Sequence, residues 1–467
     1  MKKILALALL MNFSGLFAQN MPITLPSIIS NHAVFQQSSD VKLWGWGPSR
    51  LDVSIVVSWA PTDTVKAFVA NDCTWQAIIK TPGAGGPYFI QFMSDTNKVS
   101  IHDVLIGETW LCSGQSNMAM NCSANLLDAG DALKSPTNNN IRFFQVENTH
   151  DIYPRSNCKG KWVVCDSTSR AGFSAVGYFF CSTLQKELKV PVGMISSVWG
   201  GTRIQPWMPK EVVETDTYLN HMTQIFSTPW APQGAGVLYN SMIHPLAPYT
   251  LAGVIWYQGE SNSLVDEEAK YYGKMMKGMI ESWRQIFQKE LPFYYIQIAP
   301  FDGYYPKNSA AYLREQQESV LKLTKTGMIT VGDLVNDVKN IHPLLKATVG
   351  NRLANLVLKE QYHFNELQPY SPRFVKMNIE GKTAEISFSS IGKLSCKEKE
   401  IRCFEIAGVD QLFFPAKAKI DKNGGIVLQS DKVSNPVAVR YCFTNEGMPN
   451  LFDSNGLPPM PFRTDKW

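Results

Sequence analysis

Little in this chain of 467 residues is arranged to hold a metal or a cofactor. There is no CxxC pair and no HExxH, and the seven histidines are scattered from His32 to His363. No metal site and no cofactor are therefore expected. Charge of one sign is also lacking. The 44 basic and 40 acidic side chains leave +4, too even a balance to imply a nucleic-acid partner. Cysteine is sparse and odd in number at nine, which excludes a disulfide scaffold and leaves at least one thiol free. Cys158 with Cys165, and Cys396 with Cys403, are spaced to bridge, but buried small hydrophobes are the preferred reading. Repeats and low-complexity tracts are absent. Beyond the first residues no uninterrupted apolar run approaches the roughly 20 residues a membrane helix needs, so no membrane span is expected.

What is present begins with a leader. Met1-Lys2-Lys3 is basic, Ile4 to Phe17 is apolar, and Ala18 is a small residue before Gln19. Residues 1–18 read as a signal peptide, which makes the mature chain periplasmic or extracellular, and the lack of a Cys after the cleavage point argues against a lipid anchor. Hydrophobic residues at 45 % and charged residues at 18 % describe an ordinary globular protein, long enough for one large core and smaller modules. Aromatics are generous at 11 %, a usage common where flat rings stack on sugars, although core packing explains most single rings.

Three parts follow the leader. Residues 19–103 alternate short β-branched runs with turns, as in Val53 to Val57 and Phe89 to Phe92, and predict a small β-rich domain. Residues 372–467 return to that style, in Val375 to Ile379 and Ala384 to Phe388. Residues 104–371 instead alternate strands with helices. Strands are expected over Thr109 to Cys112, Val192 to Val198, Gly253 to Tyr257, Phe293 to Ile298 and Gly327 to Val331. Helices are expected over Ala175 to Leu188, Glu268 to Phe287, Leu313 to Leu323 and Leu344 to Lys359. That alternation predicts an α/β core whose mainly parallel sheet is covered on both faces.

The unusual residues cluster just after these strands. Cys112-Ser113-Gly114-Gln115-Ser116-Asn117-Met118 follows the first, Trp199-Gly200-Gly201-Thr202 the second, Gln258-Gly259-Glu260-Ser261-Asn262 the third, and His342-Pro343 the last. In an open parallel sheet those ends share one edge, so the segments converge on one crevice. The parts suit acyl transfer: Ser116 attacks a carbonyl, His342 takes its proton, and backbone N–H groups with an amide side chain hold the oxyanion.

These blocks resemble the sialate O-acetylesterase family of the SGNH (GDSL-like) hydrolase superfamily. Gly114 to Met118 is similar to its nucleophile block and Ser197 to Thr202 to its glycine block. Leu238 to Leu246 with Val254 to Asn262 resembles its third block, Ile341-His342-Pro343 its histidine block, and Gly456 to Arg463 its closing segment. The resemblance implies a three-layer α/β/α core flanked by β-domains. It also implies a metal-independent esterase that removes O-acetyl groups from sugars, typically sialic acid. Acetylxylan or another glycan is the alternative substrate, and a catalytically impaired carbohydrate-binding relative is the remaining reading.

Carried over residue by residue, the resemblance makes Ser116 the nucleophile and His342 the base. The oxyanion donors would be the N–H groups of Ser116 and of Gly200 or Gly201, with Gln258 preferred over Asn262 as the side-chain donor. The acid is where the chain departs from its relatives, because Lys339 and Asn340 stand where they carry Asp. Asp337 is chosen, with Asp333 and Glu260 as alternatives and a dyad oriented by a backbone carbonyl as the other solution. Arg203 is placed either on a sugar carboxylate or in a structural ion pair. The rings of Trp199, Trp207, Trp256 and Tyr257 are a sugar platform or core.

Overall fold

The computed structural model describes residues 22–95, 97–225, 231–389 and 392–467. The expected leader at 1–18 lies outside the described residues. Seven strands of the central sheet are numbered here in chain order: β1 (Lys98–Gly114), β2 (Asn138–Gln145), β3 (Trp162–Cys165), β4 (Val192–Val198), β5 (Gly253–Tyr257), β6 (Phe293–Ile296) and β7 (Thr326–Ile329). Their order is β7-β6-β5-β1-β4-β2-β3, and every pairing is parallel except the last. β4, β5 and β6 are buried along their whole length, as strands covered on both faces must be.

Two helical layers cover the sheet. α2 (Ala175–Leu188) and α5 (Lys346–Tyr362) pack together on one face, while α3 (Asp266–Ile286) and α4 (Ser309–Ser319) pack on the other; α1 (Ser116–Ala119) is a single turn at the end of β1. Local chemistry sets the ends. The Ser174 hydroxyl accepts the Gly177 N–H at 3.1 Å to start α2, and Lys189 closes it with φ of +57°. Asp266, Glu267 and Glu268 occupy the first turn of α3, where acidic groups oppose the helix dipole.

β1 is much longer than the expected Thr109 to Cys112. Its first half pairs antiparallel with Gly85–Met93 and its second half lies between β4 and β5. The expected boundary at 103/104 thus falls inside one continuous strand, which joins Asp52–Val57, Ala60–Phe68 and Gly85–Met93 to the core sheet, while Asp40–Trp46 and Thr74–Lys80 pair in a sheet of their own. The C-terminal part forms two four-stranded antiparallel sheets around Ile386, Phe404, Ile406, Leu428 and Tyr441. It is fastened to α4 by Arg314, which is 2 % exposed and donates to the Thr444 carbonyl, and by Asn445, whose Oδ1 accepts the Ala310 N–H at 3.0 Å. All nine cysteines are free thiols; Cys158 and Cys165 are buried, whereas Cys396 and Cys403 are partly exposed. Among the described residues no helix is long and apolar enough to cross a membrane.

Candidate active site

Four segments meet at the carboxyl edge of the sheet. β1 ends at Gly114, whose φ is +134°, and a Cβ there would stand 2.1 Å from the Tyr257 carbonyl oxygen, so only glycine fits. The Gln115 N–H donates to the Tyr257 carbonyl at 3.0 Å and the Trp199 N–H to the Gly114 carbonyl at 3.1 Å, which ties the turn to both neighbouring strands. Ser116 follows as the first residue of α1, where its N–H has no intrahelical acceptor. Gly200 runs beside it: a Cβ on Gly200 would lie 3.4 Å from the Ser116 Cβ, and Gly201 continues the turn at φ of +73°.

The histidine comes from the loop after β7. His342 Nε2 stands 2.8 Å from Ser116 Oγ, a geometry in which the hydroxyl donates to the ring. The loop holds the ring through its backbone, since the His342 N–H donates to Asn340 Oδ1 at 2.9 Å and Asn117 Nδ2 donates to the Ile341 carbonyl at 3.1 Å. Burial pulls the imidazole below its ordinary value of 6.5, and the Lys346 ammonium pulls it further. The ring is therefore neutral at neutral pH and free to accept a proton. On acidification, kcat/KM is expected to fall through a midpoint below 6.5. A pH–rate profile with its acidic midpoint at or above that value would contradict this electrostatic picture.

The acid is not where the loop suggested. Asp337 is exposed, and its carboxylate accepts the Lys339 N–H at 2.9 Å instead of facing the ring. Asp333 is bound to Arg352 by two contacts of 2.9 Å. Glu260 is buried and touches Asn117, at 2.5 Å, not His342. Among the described residues no carboxylate forms an ion pair or hydrogen bond with the His342 ring, whose Nε2 faces Ser116. Asp337→Asn is accordingly expected to leave kcat within about threefold, the scale of an exposed side chain remote from the reacting atoms. A loss of about a thousandfold in steady-state assays would restore Asp337 as the charge partner.

Gln258, expected as the side-chain oxyanion donor, and Asn262, its alternative, are used inside the fold, and both are fully buried. Gln258 Nε2 faces Asn262 Oδ1 at 2.8 Å and Gln115 Oε1 at 3.1 Å, while the Tyr272 hydroxyl donates to its Oε1 at 2.7 Å. Asn262 Nδ2 donates to Glu268 Oε2 at 2.8 Å and Gln205 Oε1 at 3.0 Å. Irregular backbone between strand ends leaves buried polar groups that need such partners, and these amides supply them. Arg203 is likewise internal, 5 % exposed and 3.2 Å from Glu268. Trp207, Trp256 and Tyr257 are core, and of the four candidate rings only Trp199 is partly exposed.

Two residues of the site escaped the sequence reading. Asn117 stands in the sequence as one letter of the nucleophile motif, and Lys346 lies unremarked inside the expected helix Leu344 to Lys359. A lysine following Leu344-Leu345 at the base of an apolar helix was the signal available for burial.

A mainly parallel sheet between two helical layers, with a serine after its first strand facing a histidine after its last, defines an SGNH-type hydrolase. Comparison with known proteins narrows this. Residues 107–359 match the family described as carbohydrate esterase, sialic acid-specific acetylesterase, and the chain belongs to that family. It is 26 % identical to the sialate O-acetylesterase of Homo sapiens over 485 residues, covering 93 % of this chain and 91 % of the human one. The Mus musculus sialate O-acetylesterase is 26 % identical over 90 % of this chain and 89 % of its own. A carbohydrate acetylesterase from Xanthomonas citri superposes with a TM-score of 0.86 and 32 % identity, over 96 % of this chain and all of that one. The chain is a carboxylic ester hydrolase acting on O-acetylated sugars.

Proposed function

We propose that this esterase is an exported enzyme that works through Ser116 and His342, with O-acetylated sialic acid as the leading substrate. The observation that carries the reading is the 2.8 Å contact between Ser116 Oγ and His342 Nε2 at the mouth of the sheet. Ser116 Oγ attacks the acetyl carbonyl as its proton passes to His342 Nε2. The N–H groups of Ser116 and of Gly200 or Gly201 receive the oxyanion. Collapse breaks the bond to the sugar oxygen, which takes the proton from His342 and leaves. Water, deprotonated by the same nitrogen, then cleaves the acetyl-serine and releases acetate.

One observation favours the second substrate reading, a neutral acetylated glycan such as acetylxylan. Arg203, which the sequence left between a sugar carboxylate and a structural ion pair, is paired with the buried Glu268. Acetate release from O-acetylated sialic acid and from acetylated xylan, measured side by side, tests the reading. Higher kcat/KM on the sialic acid supports it, and turnover of xylan alone moves the assignment to the neutral glycan.

A further inference from the structure

Behind the Ser116–His342 pair lies a buried run of polar groups that the acyl-transfer steps do not use. Lys346 is 0 % exposed, and its Nζ donates to Asn117 Oδ1 at 2.5 Å. The other end of the same amide donates to Glu260 Oε1 at 2.5 Å and to the Ile341 carbonyl at 3.1 Å. Glu260 is 1 % exposed. Each member is attached to a working part. Asn117 follows the nucleophile, Ile341 precedes the histidine, Glu260 sits in the turn after β5, and Lys346 opens the helix into which the histidine loop runs.

The charges at the two ends dictate how the amide sits. Turned over, Asn117 would set its NH2 against an ammonium and its oxygen against a carboxylate, two repulsive contacts between fully buried groups. Only one orientation is compatible with both neighbours. In that orientation the second N–H is left pointing at the Ile341 carbonyl. We propose that the Glu260–Asn117–Lys346 chain is the positioning unit of the esterase: opposed charges lock the Asn117 amide, and the locked amide seats the His342 loop against Ser116. The proposal rests on the Ser116–His342 reading above. Asn117, Glu260 and Lys346 are positioning residues and touch no reacting atom.

Lys346 also has an electrostatic signature. It faces Glu260 across Asn117 and lies 5.3 Å from the centre of the Tyr257 ring. The Asp128 carboxylate, which accepts the Ala347 and Thr348 N–H groups at 3.1 and 2.7 Å, acts on it from the loop after α1. Burial lowers the ammonium to about 7 against the pull of Glu260 and Asp128, so it is charged over the acidic range in which His342 titrates. Its charge opposes protonation of the imidazole. Removing it must raise the imidazole's value and carry the acidic limb of kcat/KM to higher pH. A side chain that only packed would change rates at every pH and leave the limb in place.

The experiment compares Asn117→Ala and Lys346→Met with Ser116→Ala, using circular dichroism to establish folding and acetyl-ester hydrolysis across pH. Asn117→Ala is expected to lower kcat about 100-fold, the cost of a roughly 1 Å misplacement, with KM within about twofold. Lys346→Met is expected to shift the acidic limb upward. If that variant does not fold, Lys346→Gln keeps an N–H donor, removes the charge and is read the same way. A folded Asn117→Ala enzyme with kcat within about threefold of the parent would overturn the proposal. So would a folded, charge-free Lys346 variant whose limb has not moved. Either result with an inactive Ser116→Ala leaves the dyad standing, whereas an active Ser116→Ala removes the dyad itself.

Discussion

Ser116→Ala is expected to lower kcat for acetyl-ester hydrolysis by about five to six orders of magnitude, with the fold unchanged. The hydroxyl is the atom that becomes bonded to the acetyl group, and no neighbouring group can replace it: Ser113 Oγ is turned inward onto the Ser197 carbonyl at 2.6 Å. The substitution is sterically mild, because alanine is a good residue in a helical turn and the backbone of Ser116 is held by its neighbours. The lost contact is a hydrogen bond to a half-buried imidazole, worth about 1 kcal/mol of stability. Acetate release in single-turnover assays, with circular dichroism as the control, decides the matter. A folded variant within about tenfold of the parent would show that Ser116 is not the nucleophile.

How much of this could be read from the chain depended on how local each feature is. The helix Ala175–Leu188 and the strands Val192–Val198 and Gly253–Tyr257 stand where their patterns put them, because an apolar run flanked by turn residues carries its own instructions. β2 was missed. Its first residues, Asn138 to Asn140, are polar, and it is a strand because β4 pairs with it from Ile141 onward. The same division runs through the site. Ser116 and His342 were legible because a parallel sheet brings strand ends together whatever the loops do.

The supporting groups were not legible, because their contacts bridge distant parts of the chain. Asn117 reaches Glu260 and Lys346, residues 143 and 229 positions away. Gln258 resembled an oxyanion donor in the sequence, yet burial turned its amide onto Gln115 and Asn262. Asp337 resembled the acid because it is near His342 in the chain. A loop carboxylate five residues away has a nearer claim on its own backbone, here the Lys339 N–H, than on a ring facing the crevice.

Gly114→Ala is the second large effect, and it acts on stability and activity together. The added Cβ would meet the Tyr257 carbonyl oxygen at 2.1 Å and the Tyr257 carbonyl carbon at 2.7 Å, with φ at +134°. Neither obstacle can move aside cheaply. Tyr257 ends a wholly buried strand whose residues pair with β1 on one side, and its carbonyl also accepts the Gln115 N–H. Backbone strain and overpacking each cost about 1–3 kcal/mol, so a loss of about 3 kcal/mol or more is expected. The strain is relieved if β1 draws away from β5 at its last residue, and that displaces Ser116 from His342 Nε2. A shift of about 1 Å at the nucleophile lowers kcat by about 100-fold even in the molecules that remain folded. Denaturant unfolding read alongside kcat per folded molecule separates the two consequences. A variant with the parent's midpoint and the parent's kcat would mean that the turn before Ser116 is not built as described.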